Sequence, residues 1–138
     1  MIQRIQTVYW LAAVILLGVF IPLPLFEFTE SGNQVTIHST DVNFIYRPII
    51  GQIVFILIII FLFKRRLLQI ALGYVVLVNL IAICFGVFVK YMGLTESHPE
   101  LKIQPWVFTL LIPIGLHVLA IRAVKKDEAL IKSMDRLR

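Results

Sequence analysis

The amino-acid sequence predicts an all-α membrane protein: an antiparallel bundle of four transmembrane helices, both termini cytoplasmic, with a short β-hairpin in the first outer loop. Three observations carry that expectation. Four long apolar stretches are separated by three charged connections, and each stretch is near the roughly 20 residues a helix needs to cross a hydrocarbon core. Hydrophobic residues make up 59% of the 138 and charged residues 15%, against about 45–50% and about 25% in ordinary soluble chains. A soluble domain of this size would lack the polar surface to cover itself. Lys and Arg, finally, fall mostly on one side of the stretches. The stretches and their connections use up nearly the whole chain, so a single membrane domain is expected over residues 1–138, without internal repeat or low-complexity linker.

The first span is expected over about residues 7–25. Tyr9 and Trp10 stand near its start, where amphipathic rings favour the interface. Pro22 and Pro24 mark its far end, because neither donates a helical hydrogen bond. Arg4 before an apolar run also fits a cleavable signal peptide. Pro22 to Glu27 offers no small-x-small cleavage site, so an uncleaved span is preferred.

The second span is expected over about 44–63. Its isoleucine-rich core would favour strand in water, but in lipid the backbone must be satisfied within the segment, so helix wins. Lys64, Arg65 and Arg66 stop it. The third, about 67–89, follows after almost no loop, so the two form a tight hairpin. The fourth, about 105–121, opens on Pro105, where a missing N–H costs nothing, with Trp106 at the interface. Residues 122–138 read as a polar helical tail. Leu130, Met134 and Leu137 fall at i, i+4 and i+7 beside Ile131, and Glu128 precedes Lys132 by four.

Between the first two spans, Phe26 to Ser39 alternates apolar and polar residues around Ser31-Gly32-Asn33, the pattern of a hairpin lying on the helix ends. Tyr91 to Gln104 is polar, and no regular structure is expected there.

Arg4, Lys64, Arg65, Arg66, Arg122, Lys125, Lys126, Lys132, Arg136 and Arg138 lie on one side of the spans; only Arg47, Lys90 and Lys102 lie on the other. The first side is therefore expected to be cytoplasmic. Acidic residues divide the opposite way: Glu27, Glu30, Asp41, Glu96 and Glu100 outside, Asp127, Glu128 and Asp135 inside. The net charge of +5 is thus an orientation signal, and no nucleic-acid partner is expected. The six basic residues of the tail also suit an anionic leaflet.

No Asp, Glu, Lys or Arg occurs in the core of any span, which argues against ion pumps and proton-coupled transporters. The polar inventory there is Gln52, Gln69, Tyr74, Asn79, Cys84, Thr109 and His117. Asn79, with Ala82 and Gly86 at i+3 and i+7, forms a face suited to close helix packing and an interhelical hydrogen bond. Cys84 is alone and reads as a small packing residue. Thr109, Pro113 and His117 stack at i, i+4 and i+8, and Pro113 predicts a kink. His117 is read as a neutral imidazole bonding another helix or reaching cytoplasmic water. A haem or proton-relay role would need a second intramembrane His or a carboxylate. His38 and His98 lie in the two outer loops and lack metal-ligand spacing. Asn79, Thr109 and His117 are therefore expected to be polar packing contacts. With no GxSxG, HExxH or Gly-rich phosphate loop, no catalytic residue, metal or cofactor is expected, and the chain reads as a non-enzyme.

Met1 to Tyr9, the turn Lys64-Arg65-Arg66-Leu67-Leu68-Gln69-Ile70 and the tail Arg122 to Arg138 resemble an uncharacterised bacterial family of small four-span membrane proteins, known only as a domain of unknown function. The resemblance covers the full length. It implies the topology and a bacterial cytoplasmic membrane, and it carries over no activity and no site residues. Four spans with a β-like first outer loop are also similar to claudin-type proteins, as fold analogy alone.

These readings point to a structural or accessory subunit, with the lipid bilayer and either other membrane proteins or further copies of the chain as partners. The alternative is a small transporter or channel for an apolar or lipid-like solute, which expects a cavity near Asn79, Thr109 and His117. A metal-dependent enzyme at the outer surface would require His38 and His98 to share one ion.

Overall fold

Residues 5–135 are described by the structure, a computed structural model. The sequence readings that involve Met1 to Arg4 and Arg136 to Arg138 lie outside the described residues. Four helices and a three-stranded sheet follow one another as α1 (Ile5–Phe20), β1 (Pro24–Glu30), β2 (Asn33–His38), α2 (Asn43–Phe61), α3 (Arg66–Thr95), β3 (Lys102–Ile103) and α4 (Leu111–Asp135). A 3-10 turn, Ser39–Asp41, precedes α2, and a 3-10 segment, Pro105–Leu110, precedes α4. The helices close in a ring: α1 packs mainly on α4 and α2, and α3 on α2 and α4. The sheet sits where α1 and α3 end and α2 and α4 begin. The Lys64–Arg66 turn and the end of α4 form the opposite, basic end.

By length and composition three helices suffice to cross a membrane: Asn43–Phe61, Arg66–Thr95 and the continuous stretch Pro105–Met134. The shorter apolar helix α1, 16 residues long, extends only about 24 Å at 1.5 Å per residue.

Several expected boundaries change. The first span, expected over 7–25, ends at Phe20, and Pro24 and Leu25 already belong to β1. The prolines that bar helix also favour extended backbone just before them. The second, expected over 44–63, is Asn43–Phe61 and carries Pro48 inside its first two turns. The third does not stop at residue 89 but continues to Thr95, and the loop expected to lack regular structure supplies β3. The fourth, expected as α-helix over 105–121, is 3-10 as far as Leu110 and then α-helix to Asp135, so the tail through Asp135 continues it without a break. Pro113, where a kink is expected, lies just after the change from 3-10 to α-helix at Leu111.

The buried positions recur every three to four residues in each helix. They are Gln6, Trp10, Ala13, Leu17 and Phe20 in α1, and Ile45, Ile49, Gln52, Ile56 and Ile59 in α2. In α3 they are Gln69, Gly73, Val76, Leu80, Ile83 and Val87. This is the spacing of knobs-into-holes seams between nearly parallel or antiparallel helices. The outward positions are equally apolar: Phe61, Val78, Phe85 and Ile15 are more than 60% exposed. A surface of this kind fits hydrocarbon rather than water. At Gly73 an added Cβ would lie 3.0 Å from Cγ1 of Ile121, so the glycine lets α3 and α4 approach closely.

The sheet, in the order β2-β1-β3, closes the other end. The expected hairpin is present, with its turn confined to Ser31 and Gly32 and with Asn33 already paired to Glu30. A register shift between Pro24 and Phe26 turns both Leu25 and Phe26 into the core, as a bulge does by placing two residues opposite one. β2 also ties down the end of α1. Ser39 Oγ donates to the carbonyl of Ile21, and His38 Nδ1 donates to that of Pro22 at 3.1 Å. These side chains satisfy two carbonyls of the turn that follows the helix.

Ser31 and Gly32 have φ of 52° and 86°, the two left-handed positions of a type I′ turn. No atom lies within 4 Å of a Cβ built on Gly32, so a side chain there meets backbone strain and no steric contact. Gly32→Ala should lower stability by about 1 kcal/mol. Ser31→Asn should leave it unchanged or raise it by a few tenths, since Asn accepts the left-handed region. Thermal unfolding in detergent reads both, and an unchanged midpoint for Gly32→Ala would show that the turn is not held in this conformation.

Candidate functional site

Midway along the α2–α3 interface two carboxamides meet. Gln52 belongs to the buried seam of α2, with 1% of its surface exposed. Its Nε2 donates to the carbonyl of Val76 at 2.8 Å, and its Oε1 accepts from Asn79 Nδ2 at 2.6 Å. Two turns closer to the basic end, Gln69 Nε2 donates to the carbonyl of Ile59 at 3.0 Å. The α2 residue number falls as the α3 number rises, which is the register of an antiparallel pair. Gly86, on the same flank of α3, lets the ring of Phe44 come within 3.4 Å of where a Cβ would stand. Ala82, between them, is exposed.

Asn79 itself is half-buried. One of its N–H groups is used on Gln52; its carbonyl and second N–H form no hydrogen bond among the described residues. They border a groove of about 400 Å³ on the outside of the bundle, walled by Pro48, Gly51, Phe55 and Val75. Nothing lies within 4 Å of a Cβ built on Gly51, so the groove is open at its centre. In a low-dielectric surrounding an unpaired amide edge is costly, and it gains more from a partner than the same group would in water.

The other two expected polar contacts do not join this site. Thr109 Oγ1 donates to the carbonyl of Trp106 within its own segment at 2.6 Å. His117 is fully buried in α4, and its Nδ1 donates to the carbonyl of Pro113, one turn back, at 3.1 Å. That bond fixes Nε2 as the unprotonated nitrogen, and Nε2 has no partner. His117 thus bonds its own helix, contrary to the expected interhelical or water contact. Sequence reasoning also overlooked Gln6, whose amide is buried to 1% without a hydrogen bond, and it placed Trp10 at the interface, whereas the ring is fully buried in the core with its indole N–H unpaired. Gln6 lies just before the predicted first span, where a polar residue carries no signal.

Asn79, Thr109 and His117 are therefore not bonded to one another: Asn79 borders the α2–α3 groove, whereas Thr109 and His117 bond within their own segments. The apolar pocket at the sheet end, about 220 Å³ between Phe26, Cys84, Phe88, Tyr91, Val107 and Leu111, includes none of the three. Nor do the loop histidines share a ligand. His38 is held on Pro22, whereas His98 stacks on Phe28 with ring centroids 4.0 Å apart. Phe28 pairs with Val35, at a distance along the strands from the Pro24–His38 pair. Among the described residues no group of three or more His, Cys, Asp or Glu side chains is placed to hold a metal ion.

The chain belongs to a family described as a domain of unknown function (DUF4293), whose profile matches residues 2–137. The resemblance read from the two ends and the basic turn is borne out by that match. No curated protein and no solved structure matches the chain.

The amide pair makes an ordered prediction. Asn79→Leu removes one interhelical bond and should cost about 1 kcal/mol. Gln52→Leu removes two and leaves the Asn79 N–H facing an alkyl chain, so it should cost more. The double variant should be little worse than Gln52→Leu alone. Unfolding in detergent, analysed as a double-mutant cycle, tests this, and strictly additive losses would mean that the two side chains do not interact.

Proposed function

We propose that this chain is a four-pass protein of the bacterial cytoplasmic membrane. Its basic end faces the cytoplasm, and it serves as a non-enzymatic structural or accessory subunit that binds other membrane proteins. The distribution of charge supports the orientation: Lys64, Arg65, Arg66, Arg122, Lys125, Lys126 and Lys132 gather at one end, while Arg47, Lys90 and Lys102 lie toward the sheet. The apolar outer surface supports placement in lipid. The chain leaving the short α1 is accommodated because Ser39 and His38 bond the carbonyls of Ile21 and Pro22, in the turn just beyond it, so that backbone is not left unpaired beside hydrocarbon.

The observation that carries the functional reading is the half-exposed carboxamide of Asn79 beside the open face of Gly51. Side-chain amides at helix surfaces in lipid associate helices, and small residues beside them let backbones approach. Transport of an apolar solute has weaker support, since the sheet-end pocket is smaller than the usual ligand cavity of about 300–1,000 Å³.

A photo-activatable residue placed at Gly51, in intact membranes, should give cross-linked products with another membrane protein or a second copy. Asn79→Leu should reduce them several-fold. The same probe at Ile15, on the outer face of α1 and 64% exposed, should give none of those products. Equal cross-linking from both positions, or none from Gly51, would overturn the reading.

A further inference from the structure

At the basic end, α3 and α4 enclose a second groove, of about 260 Å³, and its chemistry differs from that of the amide groove. Its walls are Tyr74 and Leu77 from α3, and Val118, Ile121, Arg122 and Lys125 from α4. On α4 these residues recur at i, i+3, i+4 and i+7, so they make one stripe along the helix. On α3, Tyr74 and Leu77 are likewise on one face. The stripe is graded. Leu77 and Val118 lie toward the middle of the bundle, whereas Tyr74, Arg122 and Lys125 lie toward its basic end.

The cationic half is arranged rather than merely charged. Lys125 Nζ donates to the Tyr74 hydroxyl at 2.7 Å and stands 5.0 Å from the centre of that ring. The contact fixes the ammonium at the mouth of the groove and leaves two of its three N–H groups free. Arg122, one turn away on the same stripe, is exposed, with its planar set of donors unengaged. Among the described residues neither cation forms an ion pair; Glu128, the nearest acid on α4 with a described pairing, is taken by Lys132 at 3.5 Å. Two unneutralised cations and a phenol, above an apolar trough running into the bilayer, match a phosphate carrying an acyl chain.

We propose that this groove binds one anionic diacyl phospholipid. Its phosphate is held between Arg122 and Lys125, with Lys125 positioned by Tyr74, and the start of one acyl chain lies along Leu77 and Val118. The site rests on the membrane placement proposed above but not on the Asn79 contact, which lies on the other flank of α3. An acidic peptide would leave the apolar trough empty, and free phosphate would not use it at all. The groove therefore selects the lipid over both.

The test uses the whole protein purified in a mild non-ionic detergent, with lipid binding read by native mass spectrometry. Dioleoyl-phosphatidylglycerol should bind at one site at least tenfold more tightly than dioleoyl-phosphatidylcholine, and inorganic phosphate should neither bind nor displace it. Arg122→Gln/Lys125→Gln should weaken phosphatidylglycerol at least tenfold, and Tyr74→Phe two- to fivefold. Lys64→Gln/Arg65→Gln removes as much charge from the same end and should change binding less than twofold; it also controls for a folding defect, as does Lys125→Arg, which should retain binding. Equal losses in the two charge-matched variants would reduce the effect to general attraction and overturn the site, as would equal binding of phosphatidylcholine or competition by inorganic phosphate. Membrane fractionation of each variant separates the two ideas. A protein that stays in the membrane yet shows no lipid preference sinks the site alone, and one found outside the membrane sinks the placement.

Discussion

The constraint on which the rest of the structure depends is that the outside of this bundle is as apolar as its inside. Where the surroundings are hydrocarbon, burying Leu or Ile against another helix gains little, because lipid tails solvate it equally well. Close packing and hydrogen bonding must then decide which face of each helix turns inward. The buried seams show both at work. Their heptad-like spacing lets side chains interlock, and each helix contributes a polar member: Gln6, Gln52, Gln69 and His117. The Gln52–Asn79 node and the Gln69–Ile59 bond fasten α2 to α3 at two levels, each contributing about 0.6–2 kcal/mol. These bonds set the register as well as the strength of the contact. A slip by one residue would turn an amide out of the seam.

At the sheet end a different rule applies, because backbone leaves the helices there and must still be satisfied. Helix α1 stops at Phe20, ahead of two prolines, and the carbonyls of Ile21 and Pro22 in the turn after it are taken by Ser39 and His38 from the far end of the hairpin. The bulge after Pro24 then drives Leu25 and Phe26 together into the core. β3 pairs with Phe26 and Glu27, and Tyr91 and His98 at the end of α3 lie against Phe26 and Phe28. A two-stranded hairpin alone would be marginal. This one is held by a third strand on its edge and by helix ends beneath it.

What the sequence discloses follows the same division. Hydropathy located all four helices, since length and apolarity need no knowledge of packing. It left the inward faces largely unmarked, because Ile56, buried, and Ile58, exposed, are identical to any hydropathy scale. The signal that does mark the inside is polar: Gln52, Gln69, Asn79 and His117, taken together, give the phase of three helices. His117 bonds the carbonyl one turn behind it, Pro113, a local acceptor that any interior helical residue has and that competes with a distant one. β3 was illegible at two residues, since so short a strand has no period to detect and exists only because β1 offers an edge.

Helix α3 is where the two exterior features meet. Asn79 and Tyr74 are five residues apart, which at 100° per residue puts them about 140° apart around the axis. One flank of α3 therefore carries the amide toward the α2 groove, and the opposite flank carries the phenol toward α4. Gly73 serves the second flank. With no side chain it lets Ile121 pack against the backbone of α3, and Ile121 belongs to the same stripe as Arg122 and Lys125. The α3–α4 groove and the amide groove thus open on opposite sides of one helix, each beside a residue that lets a neighbouring helix come close or bond across.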